Sequence, residues 1–208
     1  SAWAGFGLVL VYFAIEYLRP QSYIPALGAI RPGLLTAVLV FAYWAVKADK
    51  KILSDPLSRL YIMFLMIMAV TVPFAVNNYW AFMNTRNIMI MLLAGVLPFV
   101  AFVDTPGRIR KFFLVFLTFH LLLAGYALFH GGQGPGSFFG DENDLSLSLN
   151  MAIPYAFLLS QSPKTTRGGR ILLLTVTAFI ALGVVSTESR GGFVGLVSVA
   201  VALVLFSR

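Results

Sequence analysis

Eight long apolar runs, parted by short stretches of Pro, Gly and charge, constrain this chain more than anything else in it. They fall at about residues 3–18, 33–47, 57–76, 86–103, 110–130, 145–160, 170–187 and 191–207. A helix crosses the hydrocarbon core of a bilayer in roughly 20 apolar residues, and the runs approach that length. They are apolar on all sides, whereas a membrane barrel needs segments of about ten residues that alternate in hydrophobicity. The expected architecture is therefore all-α: a polytopic transmembrane helical bundle of about eight spans, forming one transmembrane domain over residues 1–208. Composition closes the alternatives, because 59% hydrophobic and 11% charged residues leave no room for a soluble catalytic domain. Pro73, Pro98 and Pro154 fall inside or near spans, where they kink helices.

No basic segment with a cleavage site precedes Trp3, so the first run reads as a span and not as a secretory signal. The chain opens at Ser1 without an initiator Met and ends at Arg208 directly after an apolar run, so it is expected to be part of a longer polytopic protein. With no Cys there is no disulfide, thiol nucleophile or thiolate metal site, and two His are few for a metal centre.

Fifteen Lys and Arg give a formal charge of +7, but they sit between the apolar runs, where they encode topology and do not grip nucleic acid. One set of alternate loops holds Lys47, Lys50, Lys51, Arg59, Arg108, Arg110, Lys111, Lys164, Arg167, Arg170 and Arg208; the other holds only Arg19, Arg31, Arg86 and Arg190. The eleven-to-four bias predicts that the first set and the N-terminus are cytoplasmic. The same basic clusters attract the headgroups of anionic membrane lipids.

Two outward polar features stand out against this background. Residues 130–144, His-Gly-Gly-Gln-Gly-Pro-Gly-Ser-Phe-Phe-Gly-Asp-Glu-Asn-Asp, form the longest polar stretch, and their glycines permit close approach of a ligand. Asp141, Asn143 and Asp144 fit two readings there: caps for the following helix, or contacts to a ligand. The GxxxxGK[ST] phosphate loop is missing. The second feature is Ser186-Thr187-Glu188-Ser189-Arg190-Gly191-Gly192, a tight polar break between two runs. Arg190 offers forked donors to a phosphate or diphosphate, with accessible backbone amides beside it; the bland reading is a Glu188–Arg190 pair in a turn, with Gly191 and Gly195 as a helix-packing face. Arg86, placed just outside the fourth span near Asn77, Tyr79 and Trp80, either snorkels at an aromatic belt or adds a second positive group. His120 lies within a span and reads as a packing residue. His130, at that span's outer end, is a possible general base without a defined partner.

The run from Gly134 to Leu145, continuing through Leu149 to Pro154 and followed by Ser189-Arg190-Gly191-Gly192, resembles the O-antigen ligase and polymerase superfamily. The opening Ile15-Glu16-Tyr17-Leu18-Arg19-Pro20-Gln21 is similar to its subgroup of O-glycosylation ligases associated with exosortase systems. The likeness covers nearly the whole chain and rests on the order and spacing of short motifs. It implies a glycosyltransferase of the bacterial inner membrane that takes a glycan from an undecaprenyl-diphosphate carrier at the periplasmic face and passes it to a hydroxyl of an acceptor protein, lipid or glycan, without metal or cofactor. By the same resemblance Arg190 grips the diphosphate of the carrier, Arg86 is a weaker candidate for that charge, and Asp141, Asn143 and Asp144 shape the entrance. Family members carry their catalytic His in a large periplasmic loop expected beyond residue 208, and His130 is not its equivalent. Two rival classes remain: a transporter or flippase for a lipid-linked or amphiphilic substrate, and a non-catalytic membrane scaffold. Neither HExxH nor a chain of charges within the spans is present, which removes support for intramembrane proteolysis and weakens ion-coupled transport.

Overall fold

In the computed structural model, residues 2–48, 53 and 55–206 are described; Lys50, Lys51 and Arg208 of the inward charge count lie outside the described residues. The described residues are helical with no strand. Each apolar run is occupied by a helix: α1 (Ala2–Leu18), α3 (Pro32–Lys47), α4 (Pro56–Thr71), α5–α6 (Asn78–Ile90 and Leu97–Phe102), α7 (Pro106–Phe129), α9 (Glu142–Gln161), α10 (Arg167–Ser186) and α11 (Arg190–Phe206). Two short helices, α2 (Pro25–Ile30) and α8 (Gly136–Phe139), lie in connections.

Proline sets several of the starts. Pro32, Pro56 and Pro106 each occupy the first helical position, where a missing N–H costs nothing and φ is already helical. Arg19 and Arg31, each before a proline, adopt left-handed backbone at φ 47°, a conformation that few L-residues accept. Pro98 would clash with a regular α turn beneath it, and the turn Met91–Val96 is instead π-helical, joining α5 to α6.

Three helices among the described residues are long and apolar enough to cross a membrane: Asn78–Phe102, Pro106–Phe129 and Arg167–Ser186. This is fewer than the eight spans expected, for two physical reasons. Helices α1 and α11 have 17 residues and α3 and α4 have 16, short of the roughly 20 that a perpendicular crossing takes. Helix α9 has 20 residues, but Glu142, Asn143, Asp144, Asn150 and its serines dilute its apolar character. The helix containing Arg86 also begins earlier than expected. Asn77 caps it by accepting the Trp80 N–H at 3.1 Å, so Arg86 lies inside the helix and not outside it.

The helices gather into two compact units, residues 1–16 with 26–109 and residues 17–25 with 110–208. In the first unit α3 packs on the π turn and α6, and α4 packs on α5. Helix α1 lies along the same π turn and α6: Tyr12 faces Gly95, Phe13 meets Phe99 at 6.0 Å, and Gly5 leaves room for the Phe102 ring. In the second unit α9 is the central helix, packed against α10 and α11. Leu145, Leu149, Ala152, Ile153 and Ala156 on α9 are buried, which identifies its core face. Gly183 on α10 takes α7 closely, since a Cβ there would lie 2.7 Å from that of Ala124. Small residues at such crossings let helix backbones approach where no hydrophobic force acts between helices.

Candidate functional site

The second unit brings the two polar features, residues 130–144 and 186–192, together. Ser189 is the hub. Its hydroxyl donates to Asn143 Oδ1 at 2.7 Å and accepts the Gly192 N–H at 3.0 Å, so one side chain caps α11 and ties it to the start of α9. Its own N–H reaches Thr187 Oγ1 at 3.3 Å, and Thr187 Oγ1 donates back to the Val184 carbonyl at 2.7 Å. The turn is thus held by side-chain bonds on both sides of Glu188, which sits at φ 56°. A non-glycine residue at such an angle persists only when its surroundings over-determine it.

The glycine-rich loop lies against the same turn. Gly132 has φ 79°, and a Cβ there would run into the Ser186 carbonyl oxygen and the Thr187 Cα. Only glycine meets both demands, one on angle and one on space. Further along, Gly134 N–H bonds to the Phe139 carbonyl at 2.7 Å, closing the loop over the buried Phe139 ring, which packs on Tyr17 at 6.0 Å.

Below the turn α9 and α11 are linked by the Asn150 amide, which donates to the Gly192 carbonyl at 2.9 Å, while Gly192 sits against Ser146. Asn150 is buried and its Oδ1 has no partner among the described residues. Along this seam runs a groove of about 330 Å³, lined by Leu147, Asn150, Met151, Pro154, Gly195 and Val199, with Asn143 and Gly191 at its polar end. Pro154 denies the Asn150 carbonyl its usual helical donor, so this stretch of α9 carries backbone polarity beside the groove.

The expected site residues divide as follows. Arg190 is exposed at the first position of α11 and makes no hydrogen bond or ion pair among the described residues. The Glu188–Arg190 pair considered from sequence does not form among them, which leaves the guanidinium free. Asp141 is a cap: its carboxylate accepts from the N–H of Asn143 at 2.7 Å and of Asp144 at 3.4 Å. Asn143 belongs to the Ser189 contact, and the Asp144 side chain is exposed and makes no hydrogen bond or ion pair among the described residues. Arg86 lies in the other unit, exposed, donating to Asn87 Oδ1 at 3.3 Å. His120 is fully buried with both ring nitrogens occupied, Nδ1 by the Phe116 carbonyl at 2.8 Å and Nε2 by Ser148 Oγ at 3.0 Å, a packing role.

Sequence reasoning missed Ser146, Asn150 and the hub function of Ser189. The signal was present. Asn143, Ser146 and Asn150 repeat at i, i+3, i+7, which places polar groups on one face of an otherwise apolar helix. Ser189 three residues before Gly192 has the spacing of a side-chain cap. No three of His, Cys, Asp and Glu among the described residues are grouped to hold a metal ion. Compared with protein-family models, curated proteins and solved structures, the chain matches none.

Proposed function

We propose that this chain is a membrane glycosyltransferase of the O-antigen ligase kind, which takes a glycan from an undecaprenyl-diphosphate carrier and transfers it to an acceptor hydroxyl at the periplasmic face of a bacterial inner membrane. The observation that carries the reading is Arg190, exposed and unpaired among the described residues, one residue before Gly191 of the α9–α11 groove, on a turn tied to the start of α9 through Ser189 and Asn143. A lipid-linked diphosphate is an anion at the end of a long apolar chain, and this arrangement offers an exposed positive charge next in sequence to an apolar groove. The family resemblance described above points the same way.

The eight-crossing topology with a cytoplasmic N-terminus belongs to this proposal. Helices of 16 or 17 residues span where the bilayer thins or flanking side chains snorkel, each at modest cost. Asp141 then acts through structure, fixing the start of α9, while Asn143 and Asp144 border the diphosphate end. Arg86 is retained as a second outward charge. Partners are the lipid-linked glycan, an acceptor protein, lipid or glycan, and anionic lipid at the inward basic clusters.

In the reaction the acceptor oxygen attacks the anomeric carbon, the bond from that carbon to the diphosphate oxygen breaks, and the hydroxyl proton passes to a base. Arg190 stabilises charge growing on the departing diphosphate, as donors preorganised for a transition state do. The test is transfer in proteoliposomes with the full-length protein, lipid-linked glycan and acceptor. Arg190→Ala should slow transfer about a hundredfold, the usual scale for losing one such donor. Arg190→Lys, which keeps charge but loses the fork, should fall between. Unaltered transfer in Arg190→Ala refutes the role of Arg190; movement of the carrier without covalent product makes the protein a transporter.

A further inference from the structure

A second cavity in the same unit is built differently from the groove. It measures about 450 Å³, within the roughly 300–1,000 Å³ of small-molecule sites, and lies at the outer end of α7. Its lining combines apolar side chains, among them Leu18, Pro20 and Leu123, with Tyr23, Tyr126 and His130. No Asp, Glu, Lys or Arg lines it. Arg19, beside it in sequence, is directed instead toward Gly136.

The three aromatic residues form one assembly. Tyr126 and His130 stack face to face with centroids 3.7 Å apart and planes 4° from parallel, while Tyr23 meets Tyr126 edge-on at 5.7 Å. The Nδ1–H of His130 bonds to the Tyr126 carbonyl at 2.9 Å, because a carbonyl only accepts. In the neutral ring this leaves Nε2 an acceptor, without a partner among the described residues. Neither phenol has a hydrogen-bond partner among the described residues. Burial, and then the neighbouring Tyr126, push the Tyr23 phenol up, so it remains a protonated donor. Two hydroxyls and one ring nitrogen without partners among the described residues therefore belong to the lining of an uncharged aromatic cavity.

We propose that this cavity binds a neutral pyranose ring of the glycan handled in the transfer above, with the sugar seated on the Tyr126–His130 stack and its hydroxyls bonded to Tyr23, Tyr126 and His130 Nε2. The polarity of the lining decides the ligand class. Axial C–H groups on the flat face of a sugar are weakly positive and lie against the negative face of an aromatic ring. Sugar hydroxyls both donate and accept, matching the two phenols and the bare nitrogen. A quaternary ammonium would want a carboxylate or an unshared aromatic cage, and a phosphate would want Lys or Arg; neither is in the lining.

The choice of a glycan as source rests on the proposed transfer activity, but the binding test does not involve Arg190 or the reaction, so each can fail without the other. Saturation-transfer NMR would be recorded on the protein in phosphatidylglycerol nanodiscs with methyl β-glucoside and methyl N-acetyl-β-glucosaminide, alongside 1-octanol and phosphocholine. The expected result is transfer to the axial ring protons of a glycoside, lost in Tyr126→Ala. Tyr126→Phe, which keeps the ring and the fold, should weaken binding up to about tenfold, the effect of one hydrogen bond. His130→Gln should bind better than His130→Ala by preserving an acceptor. No transfer to either glycoside, equal transfer in Tyr126→Ala and Tyr126→Phe to that in wild type, or preference for octanol or phosphocholine would each overturn the proposal.

Discussion

Ser189 joins two segments separated by 46 residues through one hydroxyl that donates to Asn143 and accepts from Gly192. Ser189→Ala removes both bonds and takes the Ser189 donor from Asn143 Oδ1. The expected cost is about 1–3 kcal/mol, read as a lower thermal transition in detergent, and Ser189→Thr should recover part of it. Gly132→Ala should be harsher, because it adds a Cβ against backbone atoms and forces an L-residue to φ 79°. A loss of about 2 kcal/mol or more is expected, with reduced yield of folded protein; an unchanged transition would show that the loop and turn do not meet as described. Arg190, Asp141, Asn143 and Asp144 were all legible as polar residues between apolar runs, since few polar groups occur in so apolar a chain. Their division of labour was not. Whether a carboxylate caps a helix or faces a ligand depends on backbone angles at one residue, and Asp141 adopts the extended conformation of a cap.

Helix α9 shows what pattern reveals at the scale of an element and what it hides. Its apolar run was visible from residue 145, but it starts at Glu142 because Asp141 satisfies two free amides ahead of the run. The helix from Asn78 likewise begins before its apolar stretch, for the same reason, with Asn77 as cap. Hydrophobicity marks where a helix is buried, whereas capping marks where it begins, and the two need not coincide. Asp141→Ala is expected to cost about 1 kcal/mol and Asp141→Asn only a few tenths, measured as thermal stability. Comparable losses in both would mean that the charge of Asp141, and not its capping oxygen, is what matters. The π turn at Met91–Val96 was foreshadowed by Pro98 only as a kink.

For the whole molecule, the all-helical class was plain in the eight apolar runs, while the number of crossings is a question of length and polarity that composition leaves unsettled. Helix α9 is the decisive case, being long enough but diluted by polar residues. The absence of Cys makes the topology directly readable. Gln133→Cys and Pro163→Cys flank α9, both at exposed positions, and an impermeant thiol reagent should label the first from outside and the second only after the inner face is opened. Labelling of both from one side would mean that α9 does not cross, and the charge-based orientation would fail with it. The turn at Thr187–Arg190 is proposed to hold a lipid-linked diphosphate. Binding of undecaprenyl-diphosphate-linked glycan to this chain in nanodiscs, wild type beside Arg190→Ala, tests it most directly. Saturable binding weakened at least about tenfold by the substitution is the predicted result. Equal binding by both, or none by the wild type, would contradict it.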